Sequence, residues 1–524
     1  MPSPRTVARD LLPPDVPASE AKDRLERAKL EAARGGRWKE LPTNPDLLSQ
    51  LDPQERSQRA RLYRIKPTRS LSGVSVVAVM TSPFRCPHGK CTYCPGGPEF
   101  GTPQSYTGEE PSALRGAQFG FDPYRITQHR LSSLETIGHP VSKVEVILMG
   151  GTYTSRPPQW QEETIHRVFD ALNGSTTGHL SEAHAQNERA ARRCVGLTVE
   201  TRPDQASAQQ LAQLVSWGVT RVEFGVESLR DEVLDHVHRA HHVRDVVEAT
   251  HRAREFGLKV AYHMMPGLPG MDPGKDRADF ARLFEDPSLR PDMLKIYPCL
   301  VLPGTGLYEE WKAGRFQPYD HEVASELLAD IKESLPRTVR IQRVQRDIPA
   351  RLIAAGVRKS NLREIALAKL RARGRSCPCL RCREFGRRPA PRERWTPQLT
   401  TTEYDTGRGR EVFLSLDVPE NDSVLGYLRL RFPSGDVPGA LTDPVIRELK
   451  VVGAEVPVEG SAGSAGEVQH RGFGRLLVEE AVNRARASGA RRLFVISAVG
   501  TRGYYARLGF ERDGPWMSRN LAGS

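Results

Sequence analysis

Six short apolar, β-branched runs recur along the chain, at 73–80, 144–149, 195–199, 221–226, 258–264 and 293–297, most of them followed by a helical pattern. Runs this continuous read as strands buried on both faces. Strands that alternate with helices build a parallel sheet or barrel. Such folds carry chemistry at the carboxyl ends of their strands. The polar residues that fall there are Gly150-Gly151-Thr152, Glu200-Thr201-Arg202, Glu227-Ser228 and Pro266-Gly267, with Lys295 and Tyr297 ending the last run.

Shortly after the first strand comes Cys86-Pro-His-Gly-Lys-Cys91-Thr-Tyr-Cys94. Three thiolates within nine residues suit one soft metal centre. An iron–sulfur cubane on three protein ligands keeps one iron open. An open iron binds an outside molecule and passes it an electron, as reductive cleavage of S-adenosylmethionine requires. Spacing alone fits a structural zinc knuckle with His88 as fourth ligand at least as well. The place of the loop, after the first strand of a βα repeat, favours the open cluster. Gly150 and Gly151 let bare backbone approach a small polar ligand; taken alone, the pair is equally a simple turn.

Past about Thr396 the pattern changes to paired strands, 411–416 and 424–432, then a strand 445–452, an amphipathic helix 473–487 and a strand 493–496. This is a separate α+β domain. Its helix opens with Gln469-His470-Arg471-Gly472-Phe473-Gly474-Arg475. Free N–H groups at a helix start bind phosphate, and glycines let a pyrophosphate come close. The Gln-x-x-Gly-x-Gly pattern resembles that of the GNAT acetyltransferases, where it holds acetyl-CoA. So does the ending Tyr504-Tyr505-x3-Gly509-Phe510. Tyr504 and Tyr505 are candidates to polarise a thioester or protonate a leaving thiolate; one of them packing in the core is the simpler alternative. A second cysteine group, Cys377-Pro-Cys379-Leu-Arg-Cys382, reads as structural zinc, with His321 and Cys299 as weak fourth-ligand candidates. The run His236-Val-His238-Arg-Ala-His241-His242 reads as a polar loop and helix start, and Ser175–Arg193 as an exposed insertion.

Composition narrows the partner and the compartment. The net charge is +12, yet the stretch 337–394 holds 18 Lys and Arg against four acids, so the excess is local. A local basic block suits a polyanion. Six of eight cysteines are clustered and no secretory leader precedes them, which points to metal ligands in a reducing compartment. No apolar run approaches the ~20 residues of a membrane span, so a cytoplasmic protein with no membrane partner is expected.

From about Lys66 onward the chain resembles the Elongator protein 3 family, in its prokaryotic stand-alone form. The resemblance is carried by Lys66-Pro-Thr-Arg-Ser, Cys86–Gly97, Gln104-Ser-Tyr-Thr-Gly, Met149-Gly-Gly-Thr and Glu200-Thr-Arg-Pro-Asp204. It continues through His263-Met-Met-Pro, Leu294-Lys-Ile-Tyr-Pro, Gly304-Thr-Gly-Leu-Tyr308, Arg343–Pro349, Asn361-Leu-Arg-Glu364, Gln469–Gly474 and Gly500–Tyr505. It implies an α/β fold: a radical-SAM partial (β/α) TIM-like barrel plus a C-terminal α+β GNAT domain. The expected division is a helical, basic, tRNA-contacting extension (1–68), a radical SAM core (69–345), a basic connector with the zinc-type cysteines (346–395) and the GNAT-like domain (396–524). Cys86, Cys91 and Cys94 would bind a 4Fe–4S cluster, and Cys377, Cys379 and Cys382 zinc. Gly150, Gly151, Glu200 and Arg202 would orient S-adenosylmethionine. Gln469, His470, Arg471, Gly472, Phe473, Gly474, Arg475 and Tyr504 would hold acetyl-CoA, with Tyr504, Tyr505 and Lys295 as catalytic candidates.

The activity implied is modification of carbon 5 of the wobble uridine of tRNA to a carboxymethyl group or its precursor. A 5′-deoxyadenosyl radical would take hydrogen from the acetyl methyl, and the resulting carbon radical would add to the uridine. The tRNA anticodon stem-loop is the expected partner, its phosphates met by the basic block, and a homodimer is compatible with the sequence. The alternative is a protein lysine acetyltransferase whose cysteine domain is only structural.

Overall fold

The computed structural model describes residues 16, 18–34, 41–388, 396–453 and 472–522. Seven strands form the first sheet: β1 (Ser75–Met80), β2 (Lys143–Met149), β3 (Arg193–Thr201), β4 (Arg221–Glu227), β5 (Lys259–Met264), β6 (Met293–Ile296) and β7 (Arg340–Val344). They pair in sequence order and all in parallel, so the sheet curls into a half-barrel whose two edge strands do not meet. Helices cover its outer face, and the strand residues facing them (Val77, Val146, Val199, Val222, Val260, Leu294 among them) are fully buried in one core.

One expectation needs correction, and one strand is added. Residues 175–193 are not an exposed insertion, because the helix Leu180–Asn187 buries Leu180, Ala183, His184 and Asn187. Two of those are polar, which hid the helical spacing; the Asn187 side-chain amide donates to the Arg192 carbonyl at 3.1 Å and its oxygen accepts from the Cys194 N–H at 2.8 Å. Strand β7 lay unread inside the basic block because Arg-Ile-Gln-Arg-Val is not apolar; Arg340 is buried there against Glu384 at 2.8 Å.

The second sheet has the order β13-β14-β12-β11-β10-β9-β8. Its strands are β8 (Gln398–Asp405), β9 (Arg410–Val418), β10 (Ser423–Phe432), β11 (Val445–Val451), β12 (Arg492–Val495), β13 (Glu511–Asp513) and β14 (Trp516–Asn520). The helix Phe473–Ala487 packs on it through Leu477, Val478, Ala481 and Val482. Neighbours are antiparallel except β11 and β12, which run parallel and pair only at Val445–Phe494 and Ile446–Val495. Beyond Ile446 these two strands are no longer paired.

Buried arginines join the two sheets. Arg429, Arg431 and Arg447 leave β10 and β11 fully buried. Arg447 donates to Asp292 at 2.7 and 2.9 Å and to the Leu258 carbonyl at 2.7 Å, both residues standing just before a barrel strand. Arg431 donates to Glu255 at 2.9 Å, and Arg429 lies 3.6 Å from Asp292. The second domain is therefore seated on the amino ends of the barrel strands.

The candidate active site

Strand side chains alternate, so every second residue faces the barrel lumen. On β5 this row is Lys259, Ala261, His263; on β4 it is Arg221, Glu223, Gly225, Glu227; on β6 and its exit it is Met293, Lys295, Tyr297. The first members of these rows line a cavity beneath the barrel, and the last members line a second cavity above it. Two cavities thus lie back to back on one lumen. Arg221 opens onto the lower and Glu223 onto the upper, two residues or about 6.6 Å apart.

The upper cavity sits at the carboxyl ends of the strands and is bounded by Cys86, Gly151, Glu200, Arg202, Arg239 and Tyr297, among others. Hydrogen-bond donors converge on the cysteine loop beside it. The Ser105 N–H donates to Cys94 Sγ at 3.1 Å, Thr152 Oγ1 lies 3.4 Å from Cys86 Sγ, and Cys91 Sγ meets His88 Nε2 at 3.2 Å and Arg239 Nη1 at 3.9 Å. Burial even so pushes the Cys94 thiol up to about 11. Three cysteines of one loop gathered beside the cavity fit as ligands of an iron–sulfur cluster, which would hold them as thiolates.

Gly150 has φ +130°, and any side chain there would strike the Thr81 hydroxyl; Gly151 has φ +109° with nothing closer than 4.0 Å to a Cβ. The first is glycine for close packing and the second for an open approach to the cavity. Arg202 is 2% exposed. It donates to Asp204 at 2.8 Å and to the Ala240 carbonyl at 3.1 Å, while its Nη1 is buried with no partner. That unused donor suits the carboxylate of an amino-acid ligand.

Lys295 lies between Glu200, at 2.8 Å, and Glu223, in closer contact still. Burial would lower its pKa, but the two carboxylates more than reverse this and hold the ammonium well above the usual lysine range. Lys295 is therefore a fixed cation that orients Glu200, not a proton acceptor. His263 Nε2 stands 2.9 Å from Glu223, and Arg221 joins Glu223 at 3.2 Å and Glu145 more closely. This charged column fills the lumen between the cavities. Nothing in the spacing of single motifs announces Glu223 or Arg221; alternation along β4 does.

The lower cavity measures about 320 Å³ and is lined by both domains. The barrel gives Lys143, Gly196, Thr198 and Lys259; the second domain gives Lys450, Val451, Gly472, Gly474, Arg475 and Tyr504. Gly472 is the N-cap of the helix Phe473–Ala487, at φ +83°, with open space where a Cβ would stand. A Cβ on Gly474 would come within 2.5 Å of the Tyr504 hydroxyl. A helix N-terminus beside bare glycine fits a pyrophosphate group. Gln469, His470 and Arg471 fall outside the described residues.

Both tyrosines line the lower cavity, but they differ in packing. Tyr505 is 6% exposed and stacks edge-on with Phe510 in the domain core, at 5.9 Å between ring centroids. Tyr504 turns its hydroxyl toward Gly474. Burial pushes both phenols up, Tyr504 to about 12, so each stays protonated near neutrality.

Elsewhere, Cys377, Cys379 and Cys382 hold their sulfurs within 4.8 Å of one another, close enough to share a single ion. The buried Lys332 donates to Cys382 Sγ at 3.7 Å. His321 begins the helix that carries Lys332, eleven residues or about 16 Å away, and so is no fourth ligand. Neither is Cys299, which packs with Cys91 and Tyr93. Of the histidine run, His241 is buried and His242 caps the helix Val243–Glu255.

Part of the connector's charge is paired with acids of other elements, five carboxylates serving eight of its basic side chains. Arg337, Arg383 and Arg388 pair with Asp422; Lys369 and Arg373 pair with Glu326; Arg375 pairs with Glu333; Arg346 and Arg351 pair with Glu110 and Glu109. The local excess read from the sequence ignores these acids because they lie outside 337–394.

Comparison with known proteins gives each domain a family. The Radical SAM superfamily matches residues 80–284, the Radical_SAM C-terminal domain 291–372, and the Acetyltransferase (GNAT) family 381–510. A tRNA uridine(34) acetyltransferase of Methanocaldococcus jannaschii is 43% identical over 95% of this chain and 94% of its own length. Elongator complex protein 3 of Homo sapiens is 40% identical over 95% of this chain and 93% of its own. The solved structure of the archaeal Methanocaldococcus infernus Elp3 with an N-terminal deletion matches with a TM-score of 0.75 at 39% identity, over 86% of this chain and all of that one.

Proposed function

Since this chain belongs to the Elongator protein 3 family, which includes the tRNA uridine(34) acetyltransferases, we propose that it modifies carbon 5 of the wobble uridine of tRNA with a two-carbon unit from acetyl-CoA. The observation that carries this reading is the pair of cavities back to back on one barrel lumen. A pyrimidine carbon is a poor nucleophile for ordinary acyl transfer, so an acyl site and a radical site in one chain have a common purpose. When bound, the 4Fe–4S cluster and S-adenosylmethionine supply one-electron chemistry able to act on an unactivated C–H bond.

The residues of this chain prepare that chemistry. Cys86, Cys91 and Cys94 would hold the cluster, Gly151 and the free Nη1 of Arg202 would seat the amino-acid end of S-adenosylmethionine, and Lys295 would fix Glu200 beside it. Gly472, Gly474 and Arg475 would take the pyrophosphate of acetyl-CoA. Tyr504, held protonated, is placed to donate to the thioester oxygen or the leaving thiolate. Cys377, Cys379 and Cys382 would bind zinc, their charge offset by Lys332. The uridine comes from an unstacked anticodon loop, where a base can be presented singly. Reduced thiols at both cysteine groups suit the cytoplasm.

The lysine-acetyltransferase reading is disfavoured because barrel residues form much of the wall of the acyl-side cavity, in place of an open peptide groove. One experiment separates the two. The chain is purified without oxygen and supplied with reductant, S-adenosylmethionine, acetyl-CoA and tRNA, and the nucleosides are analysed by mass spectrometry. A modified uridine that requires both small molecules is expected. Acetylated peptide with unmodified tRNA and an intact cluster would overturn the proposal. Light scattering on the same preparation tests for a homodimer.

A further inference from the structure

Like Arg202 on the radical side, Arg221 on the acyl side is a buried arginine with an unused donor. It is 4% exposed and lines the lower cavity from β4. Its Nη1 donates to Glu145 and lies 3.9 Å from Met293 Sδ. Its Nε faces Glu223 Oε1 at 3.2 Å without a hydrogen bond. Nη2 is buried with no hydrogen-bond partner among the described residues. A buried donor left unmade is costly, so such a group marks the place of a missing acceptor.

The charge of Arg221 is already met by two carboxylates, Glu145 and Glu223. A donor so compensated suits an uncharged acceptor, such as a carbonyl oxygen, better than a further phosphate. The fold says which carbonyl. Strand pairing sets Arg221 level with Thr198 on β3 and Lys259 on β5, and all three line the cavity on its barrel side, where the lumen begins. Gly472, Gly474 and Arg475, which fit the pyrophosphate, line it from the second domain. One arm of the coenzyme leads from the pyrophosphate to the acyl group. Glu223, two residues past Arg221, already faces the radical-side cavity. An acetyl group acted on from that side has to lie against the barrel, and Arg221 is the donor waiting there.

We propose that Arg221 binds the thioester carbonyl oxygen of acetyl-CoA through Nη2 and so holds the acetyl group at the amino end of the barrel lumen. The assignment rests on the acetyl-CoA part of the function proposed above and divides the work there. Arg221 takes the oxygen, and the Tyr504 hydroxyl is left for the sulfur. The barrel thus supplies part of the acyl-binding site, and the second domain alone does not select the acyl group.

The test compares acetyl-CoA with S-ethyl-CoA, in which a methylene replaces the carbonyl, by calorimetric titration of the full chain. Wild type should bind acetyl-CoA at least about tenfold more tightly, the effect of one hydrogen bond from a charged donor. The double variant Arg221→Met/Glu145→Gln removes the donor together with its buried counter-charge, and Lys295 and His263 still face Glu223. It should bind the two ligands about equally. Arg475→Gln, on the pyrophosphate side, should weaken both and keep the preference. Isotope-edited infrared spectroscopy of carbonyl-labelled acetyl-CoA reads the contact in the unaltered protein: the bound C=O stretch should fall below its value in water, and the double variant should lose that fall.

Equal wild-type affinity for the two ligands, with no fall of the carbonyl stretch, overturns the proposal, and neither measurement needs a variant that folds. A preference retained in the double variant overturns it too. So does a wild-type preference for CoA over dephospho-CoA that the double variant loses, which would place Arg221 on the 3′-phosphate. A wild type that binds no acetyl-CoA refutes the functional reading itself. A chain that modifies uridine yet shows neither preference nor shift refutes the carbonyl contact alone.

Discussion

Asp292 decides whether the acyl-side cavity stays closed, and Asp292→Asn tests that directly. The carboxylate is 2% exposed and accepts from Arg447 at 2.7 and 2.9 Å and from the Val260 N–H at 2.8 Å, with Arg429 at 3.6 Å. Burial alone would raise its pKa; Arg447 and Arg429 more than reverse this and hold it well below the usual carboxylate range. Removing one partner of a buried ion pair costs about 3–5 kcal/mol, because the remaining charge is left uncompensated. Here two arginines are left. At 1.4 kcal/mol per factor of ten, the domains should separate about 100-fold or more often. Hydrogen exchange followed by mass spectrometry reads this as lost protection in peptides covering β5, β6 and β11, with weaker acetyl-CoA binding in parallel. Asp292 is depressed below its unfolded value of about 3.9. Its contribution is therefore complete above that pH and is lost only as pH falls through the folded value. The variant's deficit should be constant from pH 5 to pH 8. A protection change under about fivefold would mean that the pair only breaks even against its desolvation, and the account of the interface would fail.

Four further outcomes are expected. Cys91→Ser should abolish the visible absorption of the cluster and all uridine modification, while acetyl-CoA still binds; a retained cluster would reject the ligand assignment. Tyr504→Phe should lower turnover by roughly 10² while Tyr505→Phe changes it little, since one hydroxyl faces the acyl-side cavity and the other ring belongs to the core; equal effects in steady-state assays would remove the distinction. Glu384 joins Arg340, Arg387 and Ser72, and although burial opposes ionisation, the arginines and Lys450 bring it down to about 2 from 4.5. Its stabilisation is whole above pH 4.5 and lost between 4.5 and 2, so Glu384→Gln should flatten the acid limb of a denaturation curve there. Elemental analysis should find one zinc per chain, lost in Cys379→Ser with the iron content unchanged.

How much of the site was legible is clearest on individual residues. Cys86, Cys91 and Cys94 could be read as one group because they are neighbours in the chain, and Gly472 with Gly474 because a helix start demands bare backbone. Tyr504 and Tyr505 could not be told apart in sequence; a helical turn of about 100° separates them, and only packing against Phe510 shows which faces inward. Lys295 was marked at a strand end, but its fixed charge follows from Glu200 and Glu223, which are 95 and 72 residues distant.

The sequence by itself determined the alternation of strands and helices, the cysteine loop after the first strand and the change of domain near Thr396. All three are local: hydrophobic period, ligand spacing and turn chemistry act over a few residues. Tertiary structure alone decided the rest. It seated the second domain on the amino ends of the barrel through buried arginines, and so put the two cavities on one lumen. It also matched part of the basic connector to acids from other elements, among them Asp422, Glu326 and Glu333, so the local excess is smaller in space than along the chain. Charge in a sequence is counted along the chain, but Coulomb's law acts through space.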